Sequence, residues 1–139
     1  MLEQALEIYR ATFRPSETLR QPYAIVAAGV CSADTDEEAQ YLRSSQMLAF
    51  ARLRTGTPGK LPPPVQDVES QIPAQILPQI QHALSISAVG SPATVKRQLK
   101  AIIDTHKPDE LIVTGTIHDH AARIRSFQTV GEILQGLCD

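Results

Sequence analysis

The chain has 139 residues, of which 42% are hydrophobic and 20% are charged, with a formal net charge of -2. This balance is typical of a globular domain, and the lack of a basic cluster excludes an electrostatic surface for nucleic acid or anionic membrane. No apolar run approaches the ~20 residues that cross a bilayer. Two cysteines are too few for a disulfide framework, so we expect a reduced, cytoplasmic protein.

The first third of the chain predicts a helix, a buried strand and a second helix. Apolar residues recur at helical spacing over Leu2–Phe13. The run Tyr23–Cys31 is continuously apolar, which favours a strand covered on both faces, as in parallel sheets. Thr35–Glu38 has capping-box spacing. It therefore predicts the start of a helix that stops at Thr55-Gly56.

The middle of the chain is proline-rich and follows no period. Its Pro62-Pro63-Pro64 run favours extended backbone. A loop as long as residues 57–75 is either a lid over a pocket or a solvated linker, and the residues alone leave both readings open. After it, residues 76–84 suggest a short helix, and Ser85–Val89 is irregular or briefly extended.

The last third predicts one helix, one strand and a final helix. Gly90-Ser91-Pro92 is a helix start at which Ser91 would act as the cap, although such a helix end could also hold a phosphate. Leu111–Val113 is a short core strand. The final helix covers roughly residues 121–137, and we expect Asp119 or His120 to cap it.

The C-terminal ends of the two predicted strands are the candidate site, because ligands bind there in parallel α/β sheets. Ser32 follows the first strand. After the second, Thr114 and Thr116 offer hydroxyl groups and Gly115 lets a ligand reach the backbone. His118 titrates near neutral pH.

Other kinds of chemistry have little support in the sequence. His118-Asp119-His120 has the spacing of a metal-binding pair, but no third ligand is evident, so we expect no metal site. Cys31 is not beside a cation that would activate its thiol. The chain has no nucleophile elbow, no dinucleotide fingerprint and no P-loop.

Several blocks of the sequence resemble the C-terminal part of the luciferase-like flavin-dependent monooxygenases, the family of bacterial luciferase. In chain order these blocks are FRPSETL, QPYAIVAAGVCSADTDEEAQYLRSS, RTGTPGKLPPP and VGSPATVKRQLKAIIDTHKPDELIVTGTIHDHAARIRSFQTVGEIL. Together they cover almost the whole chain. No block is a catalytic signature by itself, but ELIVTGTIHDHAARIRSF in this context is fairly specific.

The resemblance implies a (β/α)8 TIM barrel that binds flavin and substrate at its C-terminal face. Such a barrel needs about 250 residues. We therefore expect residues 1–139 to form a single partial domain, with about two parallel strands and flanking helices. These would be the seventh strand, Tyr23–Cys31, and the eighth, Glu110–Thr114. Residues 56–75 would be the lid that follows the seventh strand.

The resemblance also implies an activity and a set of ligands. Reduced flavin, normally FMN and in some relatives a deazaflavin, would react with oxygen and oxidise an aldehyde, alkane or similar small molecule. Thr114, Gly115 and Thr116 would lie at the cofactor side of the pocket rim, and Ser32 and His118 at the substrate side. No catalytic residue can be carried over, because the strands that supply most flavin contacts precede this region in the family. We expect the chain alone to lack a complete active site and to bind flavin weakly.

A second interpretation is a non-catalytic small α/β protein. Two parallel strands expose edges and apolar helix faces that must be covered. Self-association, or an N-terminal partner chain that completes a barrel, would cover them. In both interpretations the partners include neither nucleic acid nor membrane.

Overall fold

The computed structural model describes residues 1–138. Helices and strands alternate along the chain, as the sequence predicted. The elements are α1 (Leu2–Thr12), β1 (Ile25–Ser32), α2 (Asp36–Arg54), a 3-10 helix (Glu69–Gln71), α3 (Leu77–Ala83), β2 (Ser87–Gly90), α4 (Pro92–His106), β3 (Glu110–Thr114) and α5 (His120–Cys138). Among these helices, none combines the length and apolar composition that a bilayer crossing requires.

The three strands form one parallel sheet in the order β2-β1-β3. β3 pairs with the first part of β1, Ile25–Gly29, and β2 pairs with the last part, Gly29–Ser32. The predicted α/β fold with parallel strands is confirmed, but the prediction of about two strands is wrong. β2 is only four residues long, so it shows no period in the sequence, and it exists because its backbone pairs with a strand far earlier in the chain.

One face of the sheet forms the core. α1 covers the start of this face, where Leu6 packs on Ala24 and Val26. Helices α4 and α5 cover its other end in one cluster of fully or nearly fully buried side chains: Val30, Ala88, Val95, Leu99 and Val130. Burial alternates along β1, as it does in a strand with one covered face.

The opposite face of the sheet is open over most of its length. Ile25 is 53% exposed on β1, and Ile112 is 50% exposed on β3. Only the end of this face is covered, where Cys31 packs on α2 through Ala39 and Leu42. The expectation that β1 is covered on both faces is therefore wrong for its first half. We call this surface, formed by Tyr23, Ile25, Ala27, Glu110, Ile112 and Thr114, the open face.

The start of α4 is capped from another helix. Ser91 makes no side-chain cap of its own helix, contrary to expectation. Instead Asp36, in the first turn of α2, accepts a hydrogen bond from the Ser91 backbone N–H at 2.6 Å and one from the Thr94 hydroxyl at 3.2 Å. These bonds hold the pKa of Asp36 below its usual value. The chain's own carboxylate thus lies at the positive end of the α4 dipole.

Two other predicted caps are confirmed. The Thr35 hydroxyl accepts a hydrogen bond from the Glu38 backbone N–H at 3.1 Å, at the start of α2. Asp119 accepts one from the Ala122 backbone N–H at 2.7 Å, at the start of α5. Both bonds satisfy N–H groups that the first turn of a helix leaves without a partner.

The proline-rich stretch lies against α2. The Val65 backbone N–H donates to the Ser44 hydroxyl at 2.7 Å. Val65, Val68 and Ile72 pack with Leu48 of α2 in one apolar cluster. These contacts fix the path of the stretch along the helix.

Candidate functional site

The C-terminal ends of the strands lie side by side, as the parallel sheet requires. Ser32 pairs with Gly90, and Thr114 pairs with Gly29, three residues before the end of β1. The Ala33 backbone N–H also donates to the Gly90 carbonyl oxygen at 3.2 Å. The loops that leave β1, β2 and β3 therefore start at one edge, where the sequence placed the candidate site.

The proposed rim residues do not all face the same way. Ser32 is 4% exposed, and its N–H donates to the Ser126 hydroxyl of α5 at 2.9 Å. By strand alternation its side chain lies on the covered face with Val30, whereas Thr114 lies on the open face. The Ser32 hydroxyl oxygen is buried without a hydrogen-bond partner. Ser32 thus belongs to a small cleft of about 210 Å³ beside α5, away from the other rim residues.

The loop after β3 presents its polar groups to the outside. Thr114, Thr116 and His118 are exposed, and Ile117 anchors the loop with 3% exposure. A Cβ atom at Gly115 would lie 2.9 Å from the Phe127 ring. The glycine is therefore needed for close packing against α5, which is a simpler reason for it than the approach of a ligand.

The open face can supply one wall of a flavin site. Ile112 offers an apolar surface for a flat ring, and Thr114 and Thr116 offer hydroxyl groups for its polar edge. A flavin phosphate needs cations or free N–H groups. Within residues 1–138 no lysine or arginine belongs to this wall, whose other members are Tyr23, Ile25, Ala27 and Glu110. The residues present fit part of the cofactor and offer its phosphate no cation.

A larger cavity lies under the proline-rich stretch, and Arg43 in its lining was not among the candidates from the sequence. Its volume is about 650 Å³. Its walls come from the first half of α2, from residues 65–69 and from the connection between α3 and β2. Arg43 is half-buried at this cavity, where its Nη2 atom donates to the Leu84 carbonyl oxygen at 3.1 Å. The one available signal was spacing: Arg43 stands four residues after the buried Ala39, at the flank of the apolar stripe.

Cys31 is close to this region but is not a nucleophile. Its thiol donates to the Ala39 carbonyl oxygen at 3.4 Å, and the residue is 4% exposed. Burial raises the pKa of Cys31 to about 11, and the Arg43 charge lowers it only in part. The thiol is therefore protonated at neutral pH. The expectation that no cation acts on Cys31 is wrong, because the Arg43 charge lowers its pKa in part.

We expect Cys31 to react with a thiol reagent only when the protein unfolds. In a Cys138→Ser variant, which leaves one thiol, modification by dithionitrobenzoate at pH 8 should proceed at the unfolding rate and become immediate in denaturant. The pKa of Cys31 is about 11 in the folded chain and 9.0 in the unfolded chain. The contribution of this thiol to the free energy of unfolding is therefore complete below pH 9 and is lost as the pH rises from 9 to 11. Fast modification under native conditions would contradict the buried placement.

Comparison with known proteins identifies close relatives of the chain. A luciferase-like monooxygenase of Escherichia coli is 39% identical over 137 residues, which are 99% of this chain and 41% of that protein. The uncharacterized protein YvbT of Bacillus subtilis is 38% identical over 93% of this chain and 38% of its own length. The chain thus spans about two fifths of the length of these relatives. No protein-family model matches it.

Two solved structures share the fold. The crystal structure of apo-MsnO8 superposes with a TM-score of 0.79 at 32% identity, over 96% of this chain and 41% of that protein. A type II Baeyer-Villiger monooxygenase from Pseudomonas putida, solved in complex with FMN, superposes with a TM-score of 0.51 at 21% identity, and this similarity concerns the fold alone. The predicted resemblance is therefore confirmed: over about two fifths of the length of its relatives, this chain is luciferase-like in sequence and in fold.

Proposed function

We propose that this chain is the part of a luciferase-like flavin-dependent monooxygenase that carries the lid and one wall of the pocket. The whole enzyme would use reduced flavin and molecular oxygen to oxidise a small organic molecule such as an aldehyde or alkane. FMN is the proposed cofactor rather than a deazaflavin, because one structural neighbour was solved with FMN. Thr114, Gly115 and Thr116 would face the flavin, His118 would lie near the substrate, and residues 56–75 would act as the lid. Ser32 is left out of this site because its side chain lies on the covered face beside α5.

The observation that carries this proposal is the open face. A sheet with one covered face and one bare apolar face is half of a core. In a barrel of eight parallel strands such a face points inward and is covered by the other strands. Ile25 and Ile112, each about half exposed, would take that position. The free thiol of Cys31 is consistent with a reducing compartment, so we propose a cytoplasmic location.

The incomplete wall predicts weak flavin binding by the chain alone. Small-molecule sites usually bury ~70–90% of the ligand surface, and one wall cannot do so. Titration with oxidised FMN, and with reduced FMN under anaerobic conditions, should give a dissociation constant weaker than ~100 µM. Micromolar affinity for either form would contradict the proposal that this chain holds only part of the site.

A chimeric enzyme tests the activity itself. The chain would replace the matching 41% of the E. coli relative, which then supplies the missing walls. We expect this chimera to bind FMN at least tenfold more tightly than the chain alone and to consume oxygen with reduced FMN. The unmodified E. coli protein is the control. A folded chimera that does not bind flavin would contradict the proposed function.

The second candidate is a non-catalytic protein that covers its open face by self-association. The same exposed side chains favour it, because a bare apolar surface promotes contact between copies. The two candidates differ in the chimera experiment: only the enzyme segment confers flavin binding when the missing walls are supplied.

A further inference from the structure

The cavity under the proline-rich stretch has the size of a small-molecule site. Its volume of about 650 Å³ lies within the usual range of ~300–1,000 Å³ for ligand pockets. Its apolar lining comes from both walls, with Met47 on α2 and Val65 and Val68 on the facing stretch. Its polar lining includes Tyr41 and amide side chains such as Gln81. The cavity therefore suits a molecule that has both a polar and an apolar part.

Arg43 is the deepest charged group of this lining and is incompletely paired. Its Nη2 atom donates to the Leu84 carbonyl oxygen, while its Nε atom is buried without a hydrogen-bond partner. Among residues 1–138, no carboxylate lies within 4.0 Å of its guanidinium. Burial lowers the pKa of Arg43, with only Cys31 acting against this effect. A half-buried cation without a counter-charge is costly unless something else pairs with it.

The carboxylates of the cavity do not fill this role. Glu37 and Glu69 both line the cavity, but both side chains are exposed. Neither is among the groups that shift the pKa of Arg43. They therefore belong to the mouth of the cavity, and Arg43 to its interior. An anion at Arg43 would be attracted by the nearest charge and would project its apolar part towards Met47 and Val65.

We propose that this cavity binds a small organic carboxylate, with the carboxylate on Arg43 and the hydrocarbon part between α2 and residues 65–68. A planar guanidinium is the side chain best suited to a carboxylate, because it can donate two parallel hydrogen bonds. The proposal goes beyond the proposed monooxygenase activity, because none of the residues proposed to face the flavin or its substrate lines this cavity. Binding does not depend on flavin and can be tested without it.

A matched pair of probes tests the charge requirement on the unmodified chain. Cyclohexylacetate and cyclohexylacetamide have the same shape, but only the first is an anion. Ligand-observed NMR titration without flavin should show the carboxylate binding at least ~10-fold more tightly, as expected for a charge-assisted hydrogen bond in a partly buried site. Equal affinities, or no binding of either probe at millimolar concentration, would overturn the proposal.

Two arginine variants assign the effect to the cavity. Arg43→Met should remove the preference for the carboxylate, whereas Arg52→Met, at an exposed position of the same helix, should leave it unchanged. Circular dichroism checks that both variants fold. A preference that persists in Arg43→Met, or that disappears in Arg52→Met, would overturn the assignment. Because flavin is absent from these titrations, a failed flavin experiment and a failed carboxylate experiment are separate results.

Discussion

Replacement of Gly90 with alanine is expected to lower the free energy of unfolding by about 2–4 kcal/mol. Gly90 has a φ of 151°, a conformation that L side chains rarely adopt. An added Cβ atom would lie 2.5 Å from the Asp36 Oδ1 atom and 2.6 Å from the Thr94 Cγ2 atom. Both neighbours would have to move.

The expected loss of stability in Gly90→Ala is large because the displaced Asp36 side chain has a structural role of its own. Asp36 Oδ1 is the atom that accepts the Ser91 N–H, so its displacement would also remove the cap of α4. The measurement is urea unfolding followed by circular dichroism. Gly136→Ala is the matched control, because nothing lies within 4 Å of its Cβ position and it is inside α5. We expect the control to be stabilised by up to ~1 kcal/mol. Equal stabilities of the two variants would contradict the crowding at Gly90.

The elements that could be predicted from the sequence are those with local signals. β1 was placed within two residues of its ends, because its apolar run is continuous. The start of α2 followed from the Thr35–Glu38 spacing, and the start of α4 from Pro92. In each case, the residues that define the element are neighbours in the chain, so no tertiary contact is needed to recognise it.

The features that could not be predicted depend on contacts between distant residues. β2 has four residues and is defined by its pairing with Gly29–Ser32. The cap of α4 comes from Asp36, 55 residues before Ser91. The cavity at Arg43 forms only when the proline-rich stretch folds back on α2. The residue types in the two segments do not predict this contact. Ser32 and Thr114 both lie at the C-terminal ends of their strands, but strand alternation puts them on opposite faces of the sheet.

The open face should control the association state of the chain, and a pair of lysine substitutions tests this. Ile25→Lys with Ile112→Lys places two charges where side chains are 53% and 50% exposed. In a monomer both positions face water, so the free energy of unfolding should change by no more than ~0.5 kcal/mol for each substitution. In an assembly that covers the face, the charges would be buried, and association should weaken by ~100-fold or more.

We expect the unmodified chain to self-associate and the double variant to be a monomer of 15.2 kDa by light scattering. The control is Ile8→Lys with Leu53→Lys, which changes isoleucine and leucine side chains of similar exposure on helices α1 and α2. This control should associate like the unmodified chain. If both double variants associate equally, the open face is not the contact surface. If the unmodified chain is already a stable monomer, the self-association proposal fails, while the barrel interpretation still accounts for the bare face because its cover then comes from the other strands.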